Sequence, residues 1–458
     1  MSETQAGDIL ARIGARASNI KHPFLVILAF GLIVRFVCMP LSIGYDADYW
    51  AVVIRNLEAG DGLYDAEGYY YTPVWGYILG LISAFQTVFL DLGESAVRVL
   101  EAFFVEGLDQ YYLSATATSL AFNYSVKLPL VICDLILALL VRHLAQDVTG
   151  DDRKANLAFA LTFLCPVLIG STCVIGMPDT IAAMFTVLTV ILLRRNMPFL
   201  AGMTFSLAVL TKFFPAFLIF VFLAYIVVRN RGDRRACSVS ILQAVLGAGI
   251  ATVVVFLPQI LEGDLSQCFQ FLTDRTGSSE GETLVDLIIG QSRVIMYVVV
   301  LIGSVIIAYL MARSRDGDPD DMLMKGCLVV VTLCLVYPPT TQYIVLLVPF
   351  LAYWISVSDR RFMLSWKILA VGSVVYMFSS NALVLLSFAE WTGFIGVDTL
   401  LDVFQAYVAE FGSLSLMTVQ FVVGGVLQCI GILSVLWIMY GERLKERFAR
   451  RGHDGITG

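Results

Sequence analysis

The stretch PFLVILAFGLIVRFVCMPLSIGYDADYW (23–50) joins a long apolar run to an acidic and aromatic segment. The apolar run, residues 23–41, has about the length of one membrane-spanning helix. It is too long for the core of a signal peptide and lacks an A-x-A cleavage pattern, so it predicts an uncleaved first span. Asp46 and Asp48 follow where the chain leaves the apolar layer. The stretch therefore predicts a membrane helix and then a polar loop at the water interface, a usual place for a site.

The composition extends this prediction to the whole chain. Hydrophobic residues make up 58% of the 458 positions, and the mean hydropathy is +0.82. Soluble domains carry less apolar sequence than this, so most of the chain must meet lipid or a helical core within lipid. The nine cysteines fall mostly in apolar runs and form no CxxC pair, which favours small core residues over a metal or disulfide framework. We predict one integral-membrane domain, residues 1–458.

The basic residues decide the topology. The run 73–90 is borderline, and counting it as a crossing would reverse every later loop. If it does not cross, the basic loops and both termini share one side, which the positive-inside rule makes cytoplasmic. We therefore predict an all-α polytopic protein with about twelve spans and a juxtamembrane or re-entrant helix at 73–90. The predicted spans lie near 22–42, 120–142, 156–175, 178–194, 197–211, 213–229, 237–260, 287–312, 322–338, 341–357, 363–388 and 416–440.

This topology gives the two faces different chemistry. Residues 43–119 form a large outer loop with juxtamembrane helices, which we interpret as the catalytic loop, and residues 441–458 form a cytoplasmic tail. Three corners between closely spaced spans also face outward: GMPD (176–179), TKFFP (211–215) and YPPTTQY (337–343). Turn chemistry explains their prolines. It does not explain why a charge or aromatic residue accompanies each proline on the same side.

The histidines limit the catalytic chemistry of the outer face. His22, His143 and His453 all lie at predicted cytoplasmic ends or in the tail. A general base on the outer face must therefore be a carboxylate, and Ser-His-Asp and Cys-His schemes are excluded with this topology.

Asp46 and Asp48 are the candidate catalytic carboxylates. A carboxylate at the interface is partly desolvated but reachable from water, and this setting can move its pKa toward a working value. Two other interpretations stay open. The pair can be the acidic start of a helix over residues 49–57, or a DxD ligand for a divalent metal.

Two lysines are candidate phosphate-binding cations. Lys127 and Lys212 begin or end spans at the outer interface, where an ionisable group is a functional hypothesis by default. Snorkelling, or pairing with Asp134 or Asp179, is the structural alternative. Arg35, near the middle of the first span, is predicted to pair with an acid such as Asp134.

The order of these motifs resembles the GT-C glycosyltransferases. YDADYW, AGDGLYD and YYYTPVWGYIL are similar to the D-x-D-Y, G-x-x-x-Y and Y-T-P-L series of the GPI mannosyltransferase I branch and, more loosely, to the bacterial polyprenyl-phosphomannose-dependent enzymes of glycosyltransferase family 87. FNYSVKLPLVICDLILALL (122–140) resembles the Lys-then-Asp span of that group, and the three corners resemble its G-Q-x-D, K-x-x-P and late aromatic-Pro corners. Met177 and Pro178 depart from the pattern. Residues 91–119 look like an insertion, and 261–286 match no motif.

The resemblance implies an inverting transfer of a sugar, with mannose favoured, from a polyprenyl- or dolichyl-phosphate donor. The acceptor is a hydroxyl of a glycolipid, glycan or protein on the outer membrane face, no cofactor is required, and no nucleic acid is involved. In this scheme Asp46 is the base, Asp48 orients Asp46 or binds acceptor, and a cation stabilises the leaving phosphate. The implied phosphate-binding residues are Lys127, Lys212 and Arg293, and the implied lining residues are Arg55, Tyr71, Asp179, Gln342 and Tyr343.

Two other functions fit the class of protein. A transporter or flippase predicts ionisable groups near the midplane in two related halves, but here the acids and corners cluster at one interface and no halves correspond. A lipid-linked polysaccharide polymerase or ligase is the second alternative. Such enzymes generally use outer arginines and a histidine, and the predicted outer face carries no histidine.

Overall fold

The computed structural model is helical over most of its length. It describes residues 22–41, 44–65, 69, 71–89, 97–99, 103–104, 112–113, 116–263, 265–269, 284–315, 317–336, 341–380, 385–411 and 416–454. Statements about side chains below concern these ranges.

The N-terminal part contains three helices and four short strands. The strands form two antiparallel ladders, pairing Val97 with Thr118 and Phe103 with Leu113, inside the segment that sequence comparison set apart as an insertion. The elements are α1 (Pro23–Cys38), α2 (Gly44–Ala59), α3 (Pro73–Phe89), β1 (Val97–Val99), β2 (Phe103–Phe104), β3 (Tyr112–Leu113) and β4 (Thr116–Thr118).

The middle of the chain packs as closely spaced helices. Two of its spans change helix type along their length, through a π-helical segment, Gly170–Ile175, and a 3₁₀ segment, Phe214–Leu218. The helices are α4 (Leu120–Thr149), α5 (Asp152–Phe163), α6 (Pro166–Ile169), α7 (Asp179–Arg194), α8 (Pro198–Thr211), α9 (Ile219–Arg229) and α10 (Arg234–Glu262).

The C-terminal part continues the helical pattern. A second short 3₁₀ segment, Gln267–Phe269, follows α10. The helices are α11 (Leu284–Arg313), α12 (Pro319–Cys334), α13 (Thr341–Ile344), α14 (Val348–Val357), α15 (Phe362–Ser380), α16 (Leu386–Thr392), α17 (Val397–Phe411) and α18 (Leu416–Asp454).

The predicted helical class is confirmed. Each apolar run predicted as a span coincides with a helix or with a broken pair of helices. Within the described ranges, five helical segments are long and apolar enough to cross a membrane: Leu120–Thr149, Asp152–Ile175, Arg234–Leu261, Ile295–Arg313 and Val419–Gly441. Five shorter apolar helices accompany them, and the count of twelve spans stays a prediction.

One end of the helices gathers basic side chains. Arg229 Nη1 donates to the carbonyl oxygen of Arg194 at 2.8 Å, and Arg194 Nε donates to Asp320 at 2.9 Å. Arg231 Nη2 donates to the carbonyl oxygen of Ala312 at 2.7 Å. These contacts join the ends of α7, α9 and α11 to the start of α12. We call this region the basic end, and it comprises residues 194–195, 229–235, 311–315 and 318–321.

The predicted corners meet at the opposite end, because α7 runs from Asp179 to Arg194. We call this region the corner end, and it comprises residues 71–75, 176–179, 211–215 and 341–343. Helix α3 lies along it. The Tyr77 hydroxyl is 2.7 Å from the carbonyl oxygen of Val255, near the end of α10, and Gln86 donates to Ser125, near the start of α4. Both ends of α3 contact the same end of the bundle, and the assignment of α3 as a juxtamembrane helix stays a prediction.

A buried ion pair ties the first span to this framework. Arg35 Nη2 lies 2.8 Å from Asp134 Oδ2, and both side chains are fully buried. The hydroxyls of Thr172 and Thr180 lie 2.9 and 2.7 Å from the Asp134 oxygens. A buried charge must be paired, and this pairing confirms the predicted role of Arg35. Because Thr172 and Thr180 flank the corner at 176–179, the same carboxylate also fixes that corner.

Candidate active site

The corner at 176–179 is shaped by its backbone. The π-helical segment ends at Gly176, which has a φ of 80°, and the N–H groups of Gly176 and Met177 both donate to the carbonyl oxygen of Ser171 at 2.9 Å. Glycine adopts this left-handed conformation without the steric cost that a β carbon brings. The turn reverses the chain so that Asp179 becomes the first residue of α7.

Trp50 attaches α2 to this corner. Its ring is fully buried, and its Nε1 donates to the carbonyl oxygen of Gly176 at 2.9 Å. The rings of Tyr71 and Trp75 meet it edge-on, with centroids 5.3 and 5.6 Å away. The Tyr71 hydroxyl lies 3.8 Å from the sulfur of Met177. Tyr71 and Trp75 therefore pack on Trp50 at the corner.

An almost buried ion pair lies at the centre of the corner end. Lys212 Nζ is 3.3 Å from Asp179 Oδ2, and the two side chains are 11% and 5% exposed. The ammonium also lies over two aromatic rings, 5.0 Å from the centroid of Tyr71 and 5.1 Å from that of Tyr343. Phe214 packs on Tyr343 with the ring centroids 4.6 Å apart. Four residues named from four separate sequence segments are thus brought together here.

Lys127 lies beneath the same corner but has different partners. Its side chain is 1% exposed, and its Nζ donates to the carbonyl oxygens of Met39 at 2.8 Å and Leu41 at 2.6 Å. A β carbon on Gly176 would lie 3.8 Å from Lys127 Cε. Lys127 therefore holds the chain that leads from α1 to α2, just before Asp46.

The remaining predicted site residues have different surroundings. Arg55 is exposed on α2, and Gln342 lies half-buried in α13 beside Tyr343. The backbones of Asp46, Asp48 and Arg293 are helical, in α2 and α11, but their side chains lie outside the described part of the chain, as do residues 337–340. Their assigned roles, including a divalent metal at Asp46 and Asp48, stay predictions.

Sequence reasoning missed two contributors to this site, and it named Trp50 as a possible sugar-stacking residue but not as an anchor. The carbonyl groups of Met39 and Leu41 accept from Lys127, and the Trp50 indole anchors α2. A carbonyl acceptor leaves no trace in residue type, so no signal marked Met39 or Leu41. Trp50 did carry a signal, because it follows Asp46 by four residues and thus lies on the same helical face.

Comparisons with known proteins find a family similarity and a structural neighbour. Residues 113–338, slightly less than half of the chain, match the family model of glycosyltransferase family 87. A comparison with curated proteins finds no match. Among solved structures, the crystal structure of ArnT from Cupriavidus metallidurans in the apo state is similar over 90% of this chain and 76% of that chain, with 15% identity and a TM-score of 0.45.

The described helices include segments long and apolar enough to cross a membrane, and the middle of the chain is similar to a family of glycosyltransferases. Residues 113–338 are similar to glycosyltransferase family 87, one of the families in the motif resemblance. The matched range includes Lys127, Asp179, Lys212 and Arg293. It begins at residue 113, so Asp46 and Asp48 lie outside it.

Proposed function

We propose that this chain transfers a sugar, most simply mannose, from a polyprenyl- or dolichyl-phosphate donor to a hydroxyl acceptor at the corner end, with inversion at the sugar. The acceptor oxygen attacks the anomeric carbon while the carbon–oxygen bond to the phosphate breaks. The acceptor proton passes to a carboxylate, and the lipid phosphate leaves with the bonding electron pair. Both mannose and the lipid-phosphate donor come from the motif resemblance.

The gathering of Asp179, Lys212, Tyr71 and Tyr343 is the observation that carries this proposal. A transporter would have its charged groups near the middle of the spans. Here these four groups lie at one end, where a lipid-linked phosphate would meet water, and the buried pair Arg35–Asp134 is satisfied within the protein.

We assign the general base to Asp46 rather than Asp48. Trp50 is held against the corner by its hydrogen bond to Gly176. On a helix, positions four apart share a face, whereas positions two apart do not. Asp46 thus occupies the α2 position one turn before Trp50 on the face toward the corner, and Asp48 does not. The role of Asp48 in this scheme is to orient the base or to contact acceptor.

Lys212 is our first candidate for the phosphate-binding cation. An ammonium has three N–H donors and can contact Asp179 and a phosphate oxygen together. Its low exposure strengthens its attraction for a developing negative charge. Lys127 and Arg293 are the second and third candidates. The two carbonyl acceptors of Lys127 fit a positioning role at least as well.

The corner end faces outward in this proposal, because the basic end is cytoplasmic by the positive-inside rule. The protein is then a cell-membrane enzyme with both termini inside. Labelling of single cysteines introduced at residues 61 and 232 tests this orientation. Accessibility of both from the same side contradicts it.

The deciding experiment is a transfer assay on purified, lipid-reconstituted protein. Polyprenyl-phosphate mannose, glucose and arabinose are offered separately with a membrane glycolipid extract, and mass spectrometry identifies the product. GDP-mannose is the matched control donor. We expect sugar transfer from one lipid-linked donor and none from GDP-mannose, unchanged by EDTA. Transfer from GDP-mannose contradicts the donor class, and loss of activity with EDTA contradicts the metal-free scheme.

A further inference from the structure

The basic end contains an open cavity of about 680 Å³, lined by Arg231, Ala312, Arg313 and Arg315. Arg231 reaches it from the connection between α9 and α10, and donates to the carbonyl oxygen of Ala312 at the end of α11. Arg313 Nη1 donates to the Tyr309 hydroxyl at 3.2 Å. Two segments that are distant in sequence, the connection between α9 and α10 and the end of α11, thus contribute guanidinium groups to one opening.

These three arginines lack the acidic partners that neighbouring basic residues have. In the described part of the chain, no carboxylate oxygen lies within 4.0 Å of Arg231, Arg313 or Arg315. Asp233, the acid closest in sequence to Arg231, instead accepts from the Ala236 N–H as the cap of α10. The basic residues that do have partners at the same end form the pairs Arg142–Asp152, Arg194–Asp320, Arg229–Asp320, Lys325–Asp321 and Arg361–Asp359.

Apolar surfaces flank the cavity on the side of the bilayer. Helices α10 and α11 are each only 22% buried over their most apolar windows, which makes them lipid-facing. On α11, Ile306 and Leu310 are 51% and 58% exposed within two turns of Arg313. On α10, Val239 and Leu242 are 46% and 58% exposed within two turns of Arg235. The cavity therefore opens where the exposed apolar face of α11 ends, and Arg231 reaches it from the connection that leads into α10.

We propose that this cavity binds the phosphate of an anionic phospholipid in the leaflet at the basic end, with the acyl chains lying on α10 and α11. The planar guanidinium fork matches phosphate oxygens, and three of them favour a headgroup with net negative charge. Basic pockets between membrane helices on the cytoplasmic side bind such headgroups in general. A free phosphate would satisfy the arginines but would make no use of the apolar faces.

Native mass spectrometry of the full-length protein in neutral detergent tests this site. The protein is offered equal amounts of dioleoyl-phosphatidylglycerol and dioleoyl-phosphatidylcholine. We expect the wild type to retain phosphatidylglycerol preferentially. The double variant Arg313→Gln with Arg315→Gln removes two of the three guanidinium groups but keeps the hydrogen bond from Arg231 to the carbonyl oxygen of Ala312. It should bind phosphatidylglycerol about 30-fold more weakly, from the usual gain of each basic residue near an anionic surface.

A double variant with the same charge loss is the matched control. Arg153 and Lys154 are exposed near the start of α5, away from the cavity. Changing both to Gln should leave the preference for phosphatidylglycerol within about twofold of the wild type, and thermal unfolding checks that all variants are folded. Equal loss in both double variants would indicate general charge attraction and overturn the site. The site would also be overturned if the double variant of Arg313 and Arg315 kept the wild-type preference for phosphatidylglycerol. Inorganic phosphate that displaces the lipid at equal concentration would overturn the lipid assignment.

Discussion

Two lysines at opposite ends of the molecule have similar neighbours but different environments. Lys212 pairs with Asp179 at 3.3 Å and lies near two tyrosine rings. Lys325 pairs with Asp321 at 2.6 Å and lies 5.9 Å from the ring centroid of Trp354. The Lys325 pair is the shorter, yet its side chains are 54% and 45% exposed, against 11% and 5% for the Lys212 pair.

Exposure, not distance, separates the roles of these lysines. Water and salt screen an exposed pair, so it contributes little to stability, about 0.3–0.5 kcal/mol for an i,i+4 pair on a helix. The electric field of a buried ion pair is screened less by water, so it can act on a bound ligand. In our proposals, the charges of the basic end set the orientation and meet lipid headgroups. The corner end carries charges that can do chemistry.

The largest expected effect is on sugar transfer, and it compares a carboxylate of α2, Asp46, with a carboxylate of the basic end, Asp320. Asp46→Asn removes the proposed base and should lower the turnover number for sugar transfer by about 10³-fold, near the middle of the range for general-base catalysis. Donor binding, measured by native mass spectrometry, should remain. Asp320→Asn at the basic end is the control, because Asp320 accepts only from neighbouring protein groups in the described structure. Full activity of folded Asp46→Asn protein would contradict the assignment of Asp46 as the general base. The turnover number of Asp48→Asn should then be measured.

The next effect concerns stability. Arg35→Met leaves Asp134 as an uncompensated buried charge, which typically costs about 3–5 kcal/mol. Arg142→Met breaks the exposed pair with Asp152, whose side chain is 76% exposed, and should cost about 0–1 kcal/mol. Thermal unfolding of the two variants in the same detergent measures the difference. Equal losses would mean that Asp134 does not depend on Arg35 for its charge compensation.

A third pair of variants compares the two lysines directly. Lys212→Met should raise the KM for the lipid-linked donor and lower the turnover number, together a loss of about 10²-fold in kcat/KM, because the leaving phosphate loses a buried cation. Lys325→Met should change kcat/KM less than twofold. Lys212→Arg, which keeps the charge, should recover part of the loss. Activity unaffected by Lys212→Met would shift the phosphate role to Lys127 or Arg293.

The sequence predicted most of the fold because each predicted span is a long apolar run that is visible in the sequence. Apolar runs of spanning length coincide with the helices, and Arg35 and Asp134 were predicted to pair because isolated charges in apolar spans require partners. The π-helical segment at 170–175 was not predicted. Thr172 in this segment and Thr180 beyond it both donate to Asp134, and only the three-dimensional packing creates these contacts.

The candidate site was predicted by residue type but not by arrangement. Asp179, Lys212, Tyr71 and Tyr343 were each named from local patterns, and the structure brings them together. Lys127 was expected at a phosphate, but it contacts backbone carbonyl groups, which every residue has. Contacts to the backbone are therefore the part of a site that residue patterns cannot specify.

The smallest expected effect compares two glycines with left-handed backbones. Gly176, at the corner, has a φ of 80°, and Gly232, in the basic connection between α9 and α10, has a φ of 94°. Alanine at either position should destabilise the protein by about 1–2 kcal/mol, the usual steric cost of this conformation for an L-residue. A β carbon at Gly232 would have no neighbouring atom within 4 Å, whereas one at Gly176 would lie 3.8 Å from Lys127 Cε. The carbonyl oxygen of Gly176 also accepts the hydrogen bond from Trp50 Nε1. Gly176→Ala should therefore also lower transfer activity a few-fold, while Gly232→Ala should leave it unchanged. If activity falls equally in both variants, the loss follows stability alone and the corner has no special role in positioning α2.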